Sequence, residues 1–195
     1  MKKTIAAALL AGCSLCASAA PENFTLDPYH TFPSFGVDHL GLSTVYGRFD
    51  KTAGKFTLDR AAKTGSVEIT IDTASLTTGD NVRGSRTRSR DEHLRSADFF
   101  NVAEFPTIVF KSTRTHFGAE LPSSVEGTLT MLGVSKPVTL NFERFKCVAN
   151  MFNQKERCGG NATGKFKRSD FGMKTAIPAV GDEISLNIGF EGGRD

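Results

Sequence analysis

The sequence predicts an all-β domain, a sandwich or a closed barrel with one short helical insertion, and three observations carry that prediction. Apolar residues recur at every second position along most of the chain. Short turn signals punctuate those runs. One dense, charged, helix-like stretch, Arg90 to Pro106, interrupts the alternation.

The chain has 195 residues. Met1-Lys2-Lys3 supplies a positive start, Thr4 to Leu10 an apolar run, and Ala17-Ser18-Ala19 a small-residue cleavage site. Residues 1–19 therefore read as a secretory signal peptide, too short to span a bilayer. Cleavage before Ala20 leaves residues 20–195 as a single exported domain. Leu10-Ala11-Gly12-Cys13 also matches the motif at which bacterial lipoproteins are cut and acylated. A soluble form is expected, with a lipid anchor at Cys13 as the alternative. No later stretch approaches the roughly 18 apolar residues of a spanning helix, so no transmembrane span is expected.

The strands follow in order. Phe35, Val37 and His39 share one face, then Val45, Gly47 and Phe49, then Val67, Ile69 and Ile71. After the insertion come Ile108 and Phe110, then Val125, Gly127, Leu129 and Met131. Val138, Leu140 and Phe142 follow, and Ile184, Leu186, Ile188 and Phe190 close the chain. Turn signals are read at Thr52-Ala53-Gly54, Thr64-Gly65, Pro122-Ser123-Ser124, Gly133 to Pro137, Gly159-Gly160 and Val180-Gly181-Asp182. This makes seven or eight mostly antiparallel strands, with the helical insertion near residues 84–100. Within it, Ser96 can cap a short turn, and Phe99, Phe100 and Phe105 follow before Pro106 returns the chain to a strand. No internal repeat and no interdomain linker is visible. A closed barrel of eight strands would be just wide enough for side chains or one small ligand.

Charge and composition exclude several functions. Without Lys2 and Lys3, 22 Lys and Arg face 21 Asp and Glu, which argues against bulk binding to nucleic acid or anionic membrane. Arg83, Arg86, Arg88, Arg90 and Arg95 form a run, but Asp80, Asp91, Glu92 and Asp98 lie among them. A solvated mixed-charge face is the plainer reading, with a head-group contact as the sharper one. The four histidines, His30, His39, His93 and His116, show no metal-binding or catalytic spacing, and no nucleophile elbow or phosphate-cradling loop occurs. No enzyme, catalytic cofactor or metal is expected. Cys147 and Cys158 remain after the leader; an even pair in an oxidising compartment reads as a disulfide, here closing a hairpin loop. Its worth is on the order of 3 kcal/mol in the chain-entropy model. The chain holds 16 Phe, 2 Tyr and no Trp. Phe brings large apolar area with no polar handle, which suits a dry lining as well as a plain core.

At the level of motifs the chain resembles the YceI-like family of exported bacterial proteins. The resemblance runs through Asp27-Pro28-Tyr29-His30 into Phe35-Gly36-Val37-Asp38-His39, and through Val45-Tyr46-Gly47-Arg48-Phe49. It continues in Asp91-Glu92-His93-Leu94-Arg95-Ser96-Ala97-Asp98-Phe99-Phe100 with Phe105-Pro106, and in Gly127 to Val134 with Lys136-Pro137-Val138. It ends in Lys167-Arg168-Ser169-Asp170-Phe171-Gly172-Met173. Two departures stand out: Asp80 to Ser89 is longer and richer in Arg than the family pattern, and Thr31 stands where Ser is expected.

The resemblance implies an eight-stranded antiparallel lipocalin-like barrel that holds a polyisoprenoid lipid, such as ubiquinone or a polyprenyl chain, for carriage or storage in the periplasm. An envelope-stress or interaction protein without cargo is the alternative, and a lipid- or quinone-modifying enzyme a more distant one. The expected lining is Phe35, Val37, Phe49, Leu94 and Phe100, together with Phe110, Leu129, Met131, Phe142 and Phe171. His39, Asp91 and His93 are the expected polar contacts near the head group. The oligomeric state is open, with a homodimer among the alternatives.

Overall fold

A computed structural model describes residues 20–195. The expected signal peptide and Cys13 lie outside the described residues. Eleven strands appear in the order β1 (Glu22–Leu26), β2 (Phe32–His39), β3 (Ser43–Phe49), β4 (Thr52–Asp59), β5 (Thr64–Asp72) and β6 (Leu76–Thr77). After helix α1 (Arg90–Arg95) come β7 (Thr107–Phe117), β8 (Pro122–Met131), β9 (Val134–Ala149), β10 (Glu156–Lys167) and β11 (Val180–Arg194). Eight of them, β1-β4-β5-β7-β8-β9-β10-β11, form an antiparallel barrel, which the β1–β11 pairing closes. Closure leaves those strands no free edge along the ring. Among the described residues no helix is long and apolar enough to cross a membrane.

Strand β11 has two neighbours in succession on one side. Ile184 to Gly189 pair with β2, and Gly192 to Arg194 pair with β1. Between them the backbone of Glu191 would lose its ladder partner, and the fully buried Thr31 takes over. Thr31 Oγ1 donates to Glu191 O at 3.2 Å and accepts from Glu191 N at 3.3 Å, while Asp27 N donates to the same carbonyl at 2.8 Å. This is what the hydroxyl at position 31 does, since a buried backbone group must find a partner. Strands β2, β3 and β6 continue the sheet from the first half of β11.

Several expected turns are strand instead. Thr52 opens β4, Pro122 opens β8 and Val180 opens β11. Gly54 marks a close approach: a Cβ there would meet Glu68 O at 2.3 Å. Pro122 takes the first position of a strand, where a missing N–H is tolerated. Gly181 and Asp182 fall in a register shift between Val180 and Ile184. Gly159-Gly160 is strand as well, because a Cβ on Gly160 would lie 1.9 Å from Arg144 O. At Gly54 and Gly160 glycine answers to crowding between strands, which looks the same in sequence as freedom in a turn.

The β9–β10 ladder carries one bulge. Asn161 pairs with Arg144 and Ala162 with Phe142, so Glu143 has no opposite residue. The extra residue flips the parity of β9. Phe142 faces the interior above the bulge and Phe145 and Cys147 below it, and the rings of Phe142 and Phe145 meet edge to face at 5.4 Å. Cys147 and Cys158 stand directly opposite one another and form the expected disulfide across the hairpin.

The insertion is less helical than expected: only Arg90–Arg95 is α-helix, and residues 84–89 are irregular. Its N-cap is Ser89, and Ser96 caps the turn that follows, as expected, its Oγ accepting from Asp98 N at 3.4 Å. Ser89 Oγ accepts from Glu92 N and Glu92 Oε2 accepts from Ser89 N, a capping box written in the sequence as Ser-x-x-Glu. Ser96 closes the other end, its N and Oγ both donating to His93 O.

Candidate functional site

Alternation around the barrel sends one apolar row from each strand inward, and the rows do not fill the middle. They enclose a cavity of about 130 Å³ beneath the capped end, whose wall presents only apolar surface. Strands β2 and β3 contribute Phe35, Val37 and Phe49; β7 and β8 contribute Ile108, Phe110, Leu129 and Met131. Strands β5, β9, β10 and β11 add Ile71, Leu140, Phe166 and Ile184. The cap supplies Leu94, Phe99 and Phe100, with Phe100 edge-on to Phe49 at 5.6 Å and 87°. A second, smaller apolar cavity of about 60 Å³ lies towards the disulfide end, walled by Phe56, Phe142, Phe145 and Phe190 among others.

Of the lining expected from sequence, Phe35, Val37, Phe49, Leu94, Phe100, Phe110, Leu129 and Met131 border the larger cavity. Phe142 borders the smaller one. Phe171 is fully buried one layer behind the wall, edge-on to Phe166 at 5.3 Å.

The three expected polar contacts do not reach the cavity. His39 is the exposed last residue of β2. Asp91 is buried, but its carboxylate serves the fold: it accepts from Thr78 N at 2.9 Å, Thr77 Oγ1 at 3.3 Å and Thr78 Oγ1. It thereby pins α1 to the end of β6. His93 pairs through Nε2 with Asp98 at 3.0 Å and sets its ring edge-on against Phe99 at 4.9 Å, outside the wall. Helix geometry explains His93: Leu94 takes the inward position, and its immediate neighbour cannot share that face.

The arginine run is likewise spent on the fold. Arg83 grips Glu92, Arg86 grips Asp80, and Arg88 reaches Asp98 at 2.9 Å. Arg90 donates to Thr78 Oγ1 and O, and Arg95 to the carbonyls of Ala74 and Leu76. Arg83 holds the Glu92 carboxyl down to about 2, with the Ser89 backbone N–H contributing; Asp80 and Asp98 are held below the usual carboxylate range by Arg86 and Arg88. The mixed-charge face is thus a set of ties within the cap and, through Arg95, from the cap to the start of β6.

Arg168 is the functional-site residue that residue-by-residue reading missed. It borders the cavity at 2 % exposure, and its guanidinium donates to Gly181 O and Val180 O at 2.8 Å and to Met173 O at 3.2 Å. Burial pulls it below the ordinary arginine value, opposed by Asp182. Asp182 is occupied with Ser169, accepting from its N and its Oγ. A cation buried against carbonyl oxygens ties together the start of β11 and the loop 172–179 that leads into it. The available signal was its place in the Lys167–Met173 motif.

Two clusters bring three potential metal ligands together, but both are committed. Cys147, Glu156 and Cys158 include the disulfide, and Asp27, His30 and Glu191 surround Arg157, which bonds Asp27 at 2.6 Å and Glu191 at 3.2 Å.

Comparison with known proteins agrees with this architecture. Protein YceI of Escherichia coli O157:H7 is 36% identical over 197 residues, covering 98% of each chain. A UPF0312 protein of Pseudomonas aeruginosa strain LESB58 is 33% identical over 202 residues, again covering 98% of each. Among solved structures, the YCEI protein of Campylobacter jejuni superposes with a TM-score of 0.66 at 29% identity, covering 81% of this chain and 90% of that one. A polyisoprenoid binding domain from Saccharophagus degradans, implicated in plant cell wall breakdown, shares the fold at a TM-score of 0.62. It is 16% identical, covering 88% of this chain and 98% of that one. The YceI-like domain model matches residues 24–192, from the first strand of the barrel to the last, and the chain belongs to that family.

Proposed function

We propose that this protein binds and carries a polyisoprenoid lipid, a ubiquinone or a polyprenyl chain, in the periplasm, and that it does so by the tail. The observation that carries the reading is the wholly apolar wall of a cavity set inside a closed barrel. Such a wall offers no directional bond to a head group, so discrimination rests on hydrocarbon shape. The Saccharophagus degradans domain of the same fold is a polyisoprenoid binding domain, which supports the same ligand class here.

Size decides how the cargo enters. An apolar void of roughly 150 Å³ holds a benzene-sized molecule, and this cavity is slightly smaller. A polyprenyl tail therefore has to displace Phe and Met side chains. Burying each five-carbon unit contributes on the order of 4 kcal/mol at about 0.8 kcal/mol per CH₂. Repacking displaced core side chains costs about 1–3 kcal/mol. The first unit offsets that cost and later units add to affinity. The test is mass spectrometry of an organic extract of protein purified from its native host. A stoichiometric isoprenoid is expected; repeated extracts without one overturn the proposal.

A further inference from the structure

The two cavities share four lining residues, Ile69, Phe110, Leu140 and Ile188, from β5, β7, β9 and β11. These side chains form a waist between a chamber under the cap and a blind chamber towards the disulfide. One of the four stands in a special setting. The Phe110 ring lies over Gly127 of the neighbouring strand β8, so closely that a Cβ at 127 would sit 2.3 Å from its Cζ and 2.6 Å from its Cε2. Gly127 is buried on the inward face, in the same row as Val125 and Leu129. The missing side chain therefore leaves a notch in the wall, and the ring occupies it. Leu140 also faces a glycine, but less closely, its Cδ2 lying 2.9 Å from a Cβ built on Gly164, while no glycine approach involves the side chain of Ile69 or Ile188.

We propose that Phe110 and the notch over Gly127 set the length of hydrocarbon the barrel accepts. With the ring in the notch, a chain entering under the cap can pass the waist and use the blind chamber. Any side chain at 127 drives the ring off the wall into the lumen and confines the ligand to the upper chamber. This rests on the isoprenoid-carrier reading and names the tail length as what the site selects.

The experiment loads delipidated full-length protein with an equimolar mixture of two ubiquinones, one with a short and one with a long isoprenoid tail. Bound material is quantified by mass spectrometry for wild type, Gly127→Ala and Phe110→Leu. The long-to-short ratio is expected to fall by about tenfold or more in Gly127→Ala, as the loss of two or more buried CH₂ groups requires, and to rise in Phe110→Leu. A Cβ at 127 also approaches Lys111 O at 2.6 Å. Should Gly127→Ala fail to fold, Phe110→Leu alone decides by its ratio. Equal ratios in all folded proteins overturn the waist and leave the carrier reading standing. Wild type that takes up neither quinone counts against the carrier reading itself.

Discussion

At the capped end, Leu94, Phe99 and Phe100 complete the cavity wall on a segment with one short helix, braced within itself by Arg83–Glu92, Arg86–Asp80 and Arg88–Asp98. That segment is tied to the sheet by Asp91 at Thr77 and Thr78 and by Arg95 at the carbonyls of Ala74 and Leu76, with Arg168 gripping the carbonyls of the adjacent rim. At the other end, the β9–β10 hairpin is cross-linked by Cys147–Cys158, Phe24 stacks on Phe56 at 4.7 Å, and Arg60 bridges Glu22 and Glu156. The foot is held by a covalent bond and buried rings, the cap by hydrogen bonds and by charge pairs, several of them exposed. Exposed pairs are each worth little and can be undone together by acid or salt. The proposed carrier role would draw on that asymmetry, since one end would have to open to admit a chain while the rest of the barrel stays closed.

The sharpest way to break the comparison is Arg168→Met, which keeps the apolar stem against the cavity and removes the guanidinium. Three carbonyls of the rim lose their donor, and a loss of about 4 kcal/mol in urea unfolding is expected, because each buried unsatisfied group costs roughly 1–3 kcal/mol. A change under 1 kcal/mol (well below that ~1–3 kcal/mol per group) would show that the rim is not tied through this residue.

Next in size is the double substitution Cys147→Ser with Cys158→Ser, expected to cost about 3 kcal/mol. Its effect should fall on global unfolding, with ligand uptake by the protein that remains folded unchanged. Reduced uptake would mean that foot and cap are coupled, against the division drawn above.

The smallest effect is acid. Glu92 ionises at about 2 in the fold against an ordinary 4.5, held there mainly by Arg83. A depressed carboxylate pKa contributes stability that is present above 4.5 and lost as pH falls towards about 2. Asp80 and Asp98, lowered by Arg86 and Arg88, act in the same sense. Hydrogen exchange, corrected for intrinsic rates, should show residues 80–100 opening in that window before the β9–β10 hairpin does. The β1–β2 turn is a poor control: burial raises Asp27, but bonds from His30, Tyr29 N and Arg157 outweigh it and leave it low as well. Simultaneous opening of cap and hairpin would remove the distinction between the two ends.

Much of the wall was legible in the sequence because strand parity is local. Val125, Leu129 and Met131, or Ile184, Leu186 and Ile188, declare their shared face without reference to any other strand. The polar residues were not legible in the same way. Asp91 and His93 flank the inward Leu94 in a motif that reads as a single unit, yet only their partners on β6 and at Asp98 reveal that they serve the cap. The parity flip at Glu143 was invisible for a related reason, since a bulge exists only relative to the opposite strand. Arg168 shows the same limit: its partners Val180 and Gly181 lie over ten residues away, across a loop.

By itself, then, the sequence determined the all-β class, the inward rows, the short capped insertion and the pairing of the two cysteines. Each of these follows from periodicity, from spacing within one segment or from counting. Only the tertiary structure decided that eight strands close into a ring, that Thr31 bridges the gap between β1 and β2, and that glycines at 54 and 160 mark crowding rather than turns. It also decided that the cavity excludes every polar side chain expected to face it. Closure, crowding and burial are relations between segments far apart in the chain, and no single segment carries them.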